Sequence, residues 1–150
     1  MSDDAETPNI DPEAVARAEA IVVSMRGKFL DWLRTTEGAL KMHLDILEFD
    51  ESKADLKVQA GALAAIMGLA HEMRGLGGTF GYPLVTRVGA TLEDHLEDRT
   101  QATPADIHII KEHIAAVGDM LSAFANDVDA VEERRLSDVA DQLEALTSAV

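Results

Sequence analysis

From Ile107 onward the apolar residues fall at Ile107, Ile110, Ile114, Val117, Leu121, Phe124, Val128 and Val131, in strict three-four alternation. That spacing returns to one face of a 3.6-residue helix and does not fit the two-residue period of a strand. Thr103-Pro104-Ala105-Asp106 opens the run with a capping oxygen, a proline at the first helical position and an early acid. The rest of the chain repeats the device. Asp11-Pro12-Glu13 starts a helix whose stripe is Val15, Ala18, Val22, Met25, Phe29 and Trp32, passing Gly27 in phase. After a weaker patch at 35–38, Leu40, Leu44 and Leu47 resume on a shifted face. A single helix over 12–49 would be ~57 Å long, too long for a compact bundle. A break is therefore expected near Gly27 or near residues 35–38.

Ser52-Lys53-Ala54-Asp55 resembles a capping box with Asp where Glu is usual, and it starts a central helix over residues 53–79. Leu56, Leu63, Ile66, Met67, Ala70 and Met73 are its inward positions. Gly81-Tyr82-Pro83 is turn chemistry, with a glycine able to take positive φ and a proline preset to begin a helix. Leu84, Val85, Val88, Leu92 and Leu96 form the next stripe, which ends near residues 98–101. Beyond Glu132-Glu133-Arg134-Arg135 the apolar phase breaks and resumes as Leu136, Val139, Leu143 and Leu146, a separate helix or a kinked extension. The pattern predicts an all-α chain: a disordered tail over 1–10, an antiparallel up-down-up-down four-helix bundle over 11–131 with an N-terminal helical extension, and a C-terminal helical extension over 132–150.

Composition narrows the function. A net charge of -15 opposes binding to nucleic acid or to an anionic membrane surface. The absence of cysteine removes disulfides, thiolate metal sites and a cysteine nucleophile. No apolar run approaches the ~20 residues that span a bilayer, and the acidic start MSDDAETPNIDP is unlike a signal peptide, so a cytoplasmic protein is expected.

Within the central helix, Gly75, Gly77 and Gly78 crowd behind His71, with Gly68 upstream. Each interior glycine costs a helix ~1 kcal/mol relative to alanine, so stability is given up around one histidine. On a helical wheel with Leu63 at zero, the apolar residues centre near about -50° and His71 falls at about +80°. Ala60, Ala64, Gly68, Gly75 and Gly78 share its face, Gly77 points to the core side, and Arg74 is the nearest cation, one turn along. Imidazole is a competent nucleophile near neutral pH. A phosphoryl group on it would bring negative charge for Arg74 to neutralise in part, and the bare strip would let another protein's loops come close.

His71-x-Met73-Arg74-Gly75, followed by Gly81, Leu84 and Leu92-Glu93, resembles the histidine-containing phosphotransfer (HPt) domain, whose pattern is His-x-Leu-Lys-Gly, a later glycine and then Leu-Glu. Arg74 replaces the usual lysine, Met73 the leucine, and Gly77-Gly78 stand where alanine or serine is commoner. The segment from about residue 132 has no counterpart in this resemblance. What it implies is a phosphorelay intermediate, not an enzyme. His71 would accept and donate phosphoryl groups, Arg74 would support the phosphoryl, and Ala64, Gly68, Gly75 and Gly78 would form the docking face. The partners implied are receiver domains, which would bring the Mg²⁺; the carrier itself would hold no cofactor and be a monomer.

Blander readings compete. His71 could be a surface histidine, Arg74 a surface arginine paired with an acid on the facing helix, and Gly75 a helix-packing residue. His43, His95, His108 and His113 are expected at the surface or its boundary. No Glu-x-x-His occurs for a di-metal bundle, His71-Glu72 lacks the second histidine of a zinc protease, and there is no Walker loop to bind ATP. Two rival functions remain, an adaptor that docks receivers without phosphotransfer and a dimerisation module built on the C-terminal helix.

Overall fold

The computed structural model describes residues 9–49 and 55–149. All five elements there are helices: α1 Pro12–Glu48, α2 Leu56–Gly77, α3 Pro83–Leu96, α4 Pro104–Phe124 and α5 Ala130–Ser148. Their starts follow the sequence signals. Asp11 accepts from the Glu13 amide, Asp55 from the Lys57 and Val58 amides, and Thr103 and Asp106 form a reciprocal capping box. The first eight residues of the expected tail and most of the Ser52–Asp55 signal lie outside the described residues; Asp55 is itself the cap of α2.

α1 does not break. It runs for 37 residues through Gly27 and through residues 35–38. Its buried positions are Phe29, Leu33, Thr36, Leu40, Leu44 and Leu47, one stripe at helical spacing. Thr36 reads as polar in the sequence, but its hydroxyl donates to the Trp32 carbonyl at 3.0 Å, so it enters the core satisfied. The length that ruled out a compact bundle is accommodated by overhang: residues 11–28 are all exposed. The stripe Val15, Ala18, Val22 and Met25 therefore covers no core of its own chain.

Neighbouring helices form a closed ring, with α1 against α2, α2 against α3, α3 against α4 and α4 against α1. Among the described residues the diagonal pairs make no such contact. Leu33, Leu40, Leu63, Ile66, Met73, Leu92, Ile110 and Met120 fill the centre. Phe29 stacks on Phe80 and Tyr82 at 5.2 and 5.3 Å, and Tyr82 meets Phe124 at 4.5 Å, closing the end of the core under the α2–α3 turn. Leu56, expected inward, is 57% exposed in the first turn of α2, short of the layer that Leu63 begins.

α4 stops at Phe124, and the stripe expected to reach Val131 ends with it; Val128 and Val131 are exposed. α5 then starts at Asp129, whose side chain accepts from the Glu132 amide, and lies across α3 and α4 with Leu136, Ala140 and Leu143 buried. Arg87 of α3 bonds Asp141 and Glu144 at 2.7 and 2.8 Å, and Arg135 bonds Asp119 of α4 at 2.7 and 2.9 Å.

Two histidines expected near the surface are interior. His113 is buried and donates through Nδ1 to the Ile109 carbonyl at 2.7 Å. Burial pushes its pKa down from 6.5 to about 4. The His95 side chain is 3% exposed and donates through Nε2 to Asp106 at 2.8 Å. Burial by itself would raise the pKa of Asp106, but the Thr103 amide, His95, the Thr103 hydroxyl and Arg99 together hold it below the ordinary value.

Candidate functional site

His71 stands on the outer face of α2 with its side chain 73% exposed. Ala64, Gly68 and Gly75 are exposed on the same helix, and Gly78, its C-cap, is exposed beyond them. A Cβ placed on Gly68 or Gly75 would meet nothing within 4 Å, and one on Gly78 would make only ordinary contact with Thr86 at 3.6 Å. Helix packing within the chain therefore does not require glycine at positions 68, 75 and 78. Gly77 is different, as the wheel indicated. A Cβ there would lie 2.6 Å from the Thr86 nitrogen and 2.9 Å from the Tyr82 carbonyl oxygen.

Thr86 fixes the end of α2. Its hydroxyl accepts from the Gly78 amide at 2.8 Å and donates to the Arg74 carbonyl at 2.9 Å. The Tyr82 amide donates to the Gly77 carbonyl at 2.8 Å, and Gly81 turns the chain at φ +87. α3 then returns along α2 at very close range. Gly89 faces the α2 backbone, and a Cβ on it would stand 2.6 Å from the Ala70 carbonyl oxygen.

That approach brings Glu93, one turn after Gly89, to His71. Nδ1 of His71 donates to Glu93 Oε1 at 2.8 Å. In the neutral ring, a bond to an ionised carboxylate, which can only accept, places the proton on Nδ1 and leaves the lone pair on Nε2. The other Glu93 oxygen is buried without a hydrogen-bond partner and faces Arg74 Nη1 at 3.7 Å. Arg74 also lies 3.4 Å from Asp94. Arg74 is thus paired with acids on the facing helix, as a surface arginine would be. The pair with Asp94 is exposed and worth only ~0–1 kcal/mol, so the guanidinium can leave Asp94 for a better anion at little cost while staying beside the buried Glu93 oxygen.

Sequence reasoning quoted Glu93 as part of Leu92-Glu93 but gave it no role, and it passed over Gly89. The signal available was their four-residue spacing, which puts a small residue and an acid on one face of α3. Neither means anything until α3 is laid against α2. Among the described residues no group of three or more His, Asp or Glu is placed to hold a metal ion, and no helix is long and apolar enough to cross a membrane.

Comparison with known families identifies the class to which this helical scaffold belongs. The Hpt domain model matches residues 24–149, nearly the whole chain, and the protein belongs to that family. The match includes α5, the segment for which the sequence resemblance offered no counterpart. Hpt domains are phosphocarriers that work with receiver domains in phosphorelays, and this chain is one of them. No curated protein and no solved structure matches it.

Proposed function

We propose that His71 is the phosphoryl-carrying residue of a phosphorelay intermediate. The observation that carries this reading is the 2.8 Å bond from His71 Nδ1 to Glu93, made by a ring that is otherwise open to solvent. The Nε2 lone pair attacks the phosphorus of a receiver's aspartyl phosphate. An N–P bond forms, the acyl O–P bond breaks, and the aspartate leaves as a carboxylate. The proton stays on Nδ1, and Glu93 stabilises the positive charge that develops on the ring. The reverse step returns the group to the same or a second receiver.

Arg74 turns from Asp94 toward the new phosphoryl oxygens, which offer a stronger charge-assisted bond than a surface carboxylate. As an arginine it offers a planar fork in place of a lysine's point charge. Ala64, Gly68, Gly75 and Gly78 leave a strip on which the receiver backbone can settle. The Mg²⁺ for the reaction comes with the receiver, as the family resemblance implies. The closed ring of α1–α4 supports the reading of an antiparallel four-helix bundle, with α5 bracing α3 and α4 from outside.

The test is transfer from a phosphorylated receiver to the full chain. The expected result is acid-labile, alkali-stable label on the wild type and none on His71→Gln. Receiver binding without label on any histidine would assign the protein to the adaptor class instead.

A further inference from the structure

The overhanging half of α1 has no use in the site described above. Val15, Ala18, Val22 and Met25 occupy alternate a and d positions of a heptad, in phase with Phe29 where the helix enters the core. Val22 and Met25 are 46% and 45% exposed. At the base of the overhang they border a groove of about 260 Å³ with Gly78, Phe80 and Gly81. An isolated helix of this length is marginal in water, because most helical stability in proteins comes from packing of an apolar face.

Charge indicates what covers it. The chain carries -15, yet residues 11–28 hold Asp11, Glu13 and Glu19 against Arg17, Arg26 and Lys28, a balanced set. Two copies can therefore meet here without the repulsion that the rest of the surface would impose. Glu19 and Arg26 both stand at e positions and make no ion pair among the described residues. In an antiparallel pair with Val22 of one copy layered on Met25 of the other, Glu19 faces the second copy's Arg26, and the reverse pair forms by symmetry. The same register sets Ala18, a small residue, over Phe29, which its own chain already covers. It also lays the aliphatic stem of Lys28 along Ile21.

We propose that the N-terminal half of α1 is a self-association surface, pairing with a second copy of this chain as a short antiparallel coiled coil. The monomer expected from sequence is then the dissociated form of a reversible dimer.

The test is sedimentation of the full chain over a range of concentrations. Wild type is expected to dimerise reversibly, and His71→Gln to do so equally, since the His71 side chain lies outside this surface. Val22→Asp, Glu19→Arg and Arg26→Glu should each weaken the dimer about tenfold or more. None should lower the unfolding temperature appreciably, because all three side chains are exposed. The double variant Glu19→Arg with Arg26→Glu should restore the dimer, since both cross pairs are remade with reversed sign. A wild type that stays monomeric at the highest concentration overturns the proposal, as does a dimer indifferent to Val22→Asp. Failure of the double variant to recover overturns the antiparallel register. Protection of residues 15–25 from hydrogen exchange by a receiver, with the chain monomeric, would assign the stripe to the receiver instead.

Discussion

Gly89 and Ala70 meet backbone to backbone, with room for no side chain: a methyl group on Gly89 would stand 2.6 Å from the Ala70 carbonyl oxygen and 2.7 Å from the Arg74 amide nitrogen. The reach of Glu93 to His71 depends on this crossing. Gly89→Ala should force α3 away from α2, with overpacking costing about 1–3 kcal/mol. It should also slow phosphotransfer, because the partner of Nδ1 retreats. Gly61→Ala, exposed on the same helix but outside the docking strip, is the control. It meets nothing within 4 Å and should stabilise α2 by ~1 kcal/mol. Thermal unfolding of both variants, beside their transfer rates, checks the contrast.

Removing the Glu93 carboxylate tests orientation separately from packing. Glu93→Leu keeps comparable bulk beside α2 but gives Nδ1 nothing to bond. A charge-assisted hydrogen bond contributes ~1.5–3 kcal/mol, so transfer should fall roughly ten- to a hundredfold. Nitrogen NMR should show the His71 proton spread over both ring positions. Glu93→Gln keeps an acceptor and should retain the Nδ1–H tautomer with a smaller loss of rate.

At Gly75 stability and function should move in opposite directions. Nothing within 4 Å opposes a side chain there, so Gly75→Leu should raise helix stability by ~1 kcal/mol. The new side chain would stand one turn from His71 on the strip proposed for docking. Transfer should therefore slow strongly while the unfolding midpoint rises. Unchanged transfer would refute the clearance role of Gly75.

Acid should destabilise the fold through His113. Its folded pKa of about 4 lies below the ordinary 6.5, so the unfolded chain binds the proton first. Stability is then full above about pH 6.5 and is lost as pH falls toward 4, by roughly 3 kcal/mol if the whole shift is expressed. Asp106, held below its ordinary value by its partners, adds a further loss at lower pH in the same direction. His113→Leu should flatten the stability profile between pH 6.5 and 4. Denaturant unfolding at a series of pH values measures it.

The parts of this molecule that depend on one helix were legible in its sequence. His71, Gly75 and Gly78 fall on one outward face, and Gly77 falls inward, by arithmetic on a single period. Caps at Asp11 and Thr103 and the turn at Gly81 are likewise local chemistry. What depends on two helices was not legible. Glu93 gains its meaning from a crossing that Gly89 permits, and His95 is interior only because Asp106 on the next helix satisfies it. The continuity of α1 was missed for another reason. Thr36 counts as polar in a pattern but is satisfied by its own helix, and a helix judged too long for a bundle is free to overhang it.

The account rests on Nε2 of His71, and nitrogen–phosphorus coupling in the chain labelled at histidine and phosphorylated by a receiver tests it most directly. The expected spectrum shows one phosphorylated imidazole, that of His71, with the coupling on Nε2 and the proton retained on Nδ1 beside Glu93. Coupling on Nδ1 of His71, or on His43, His95, His108 or His113, would contradict it.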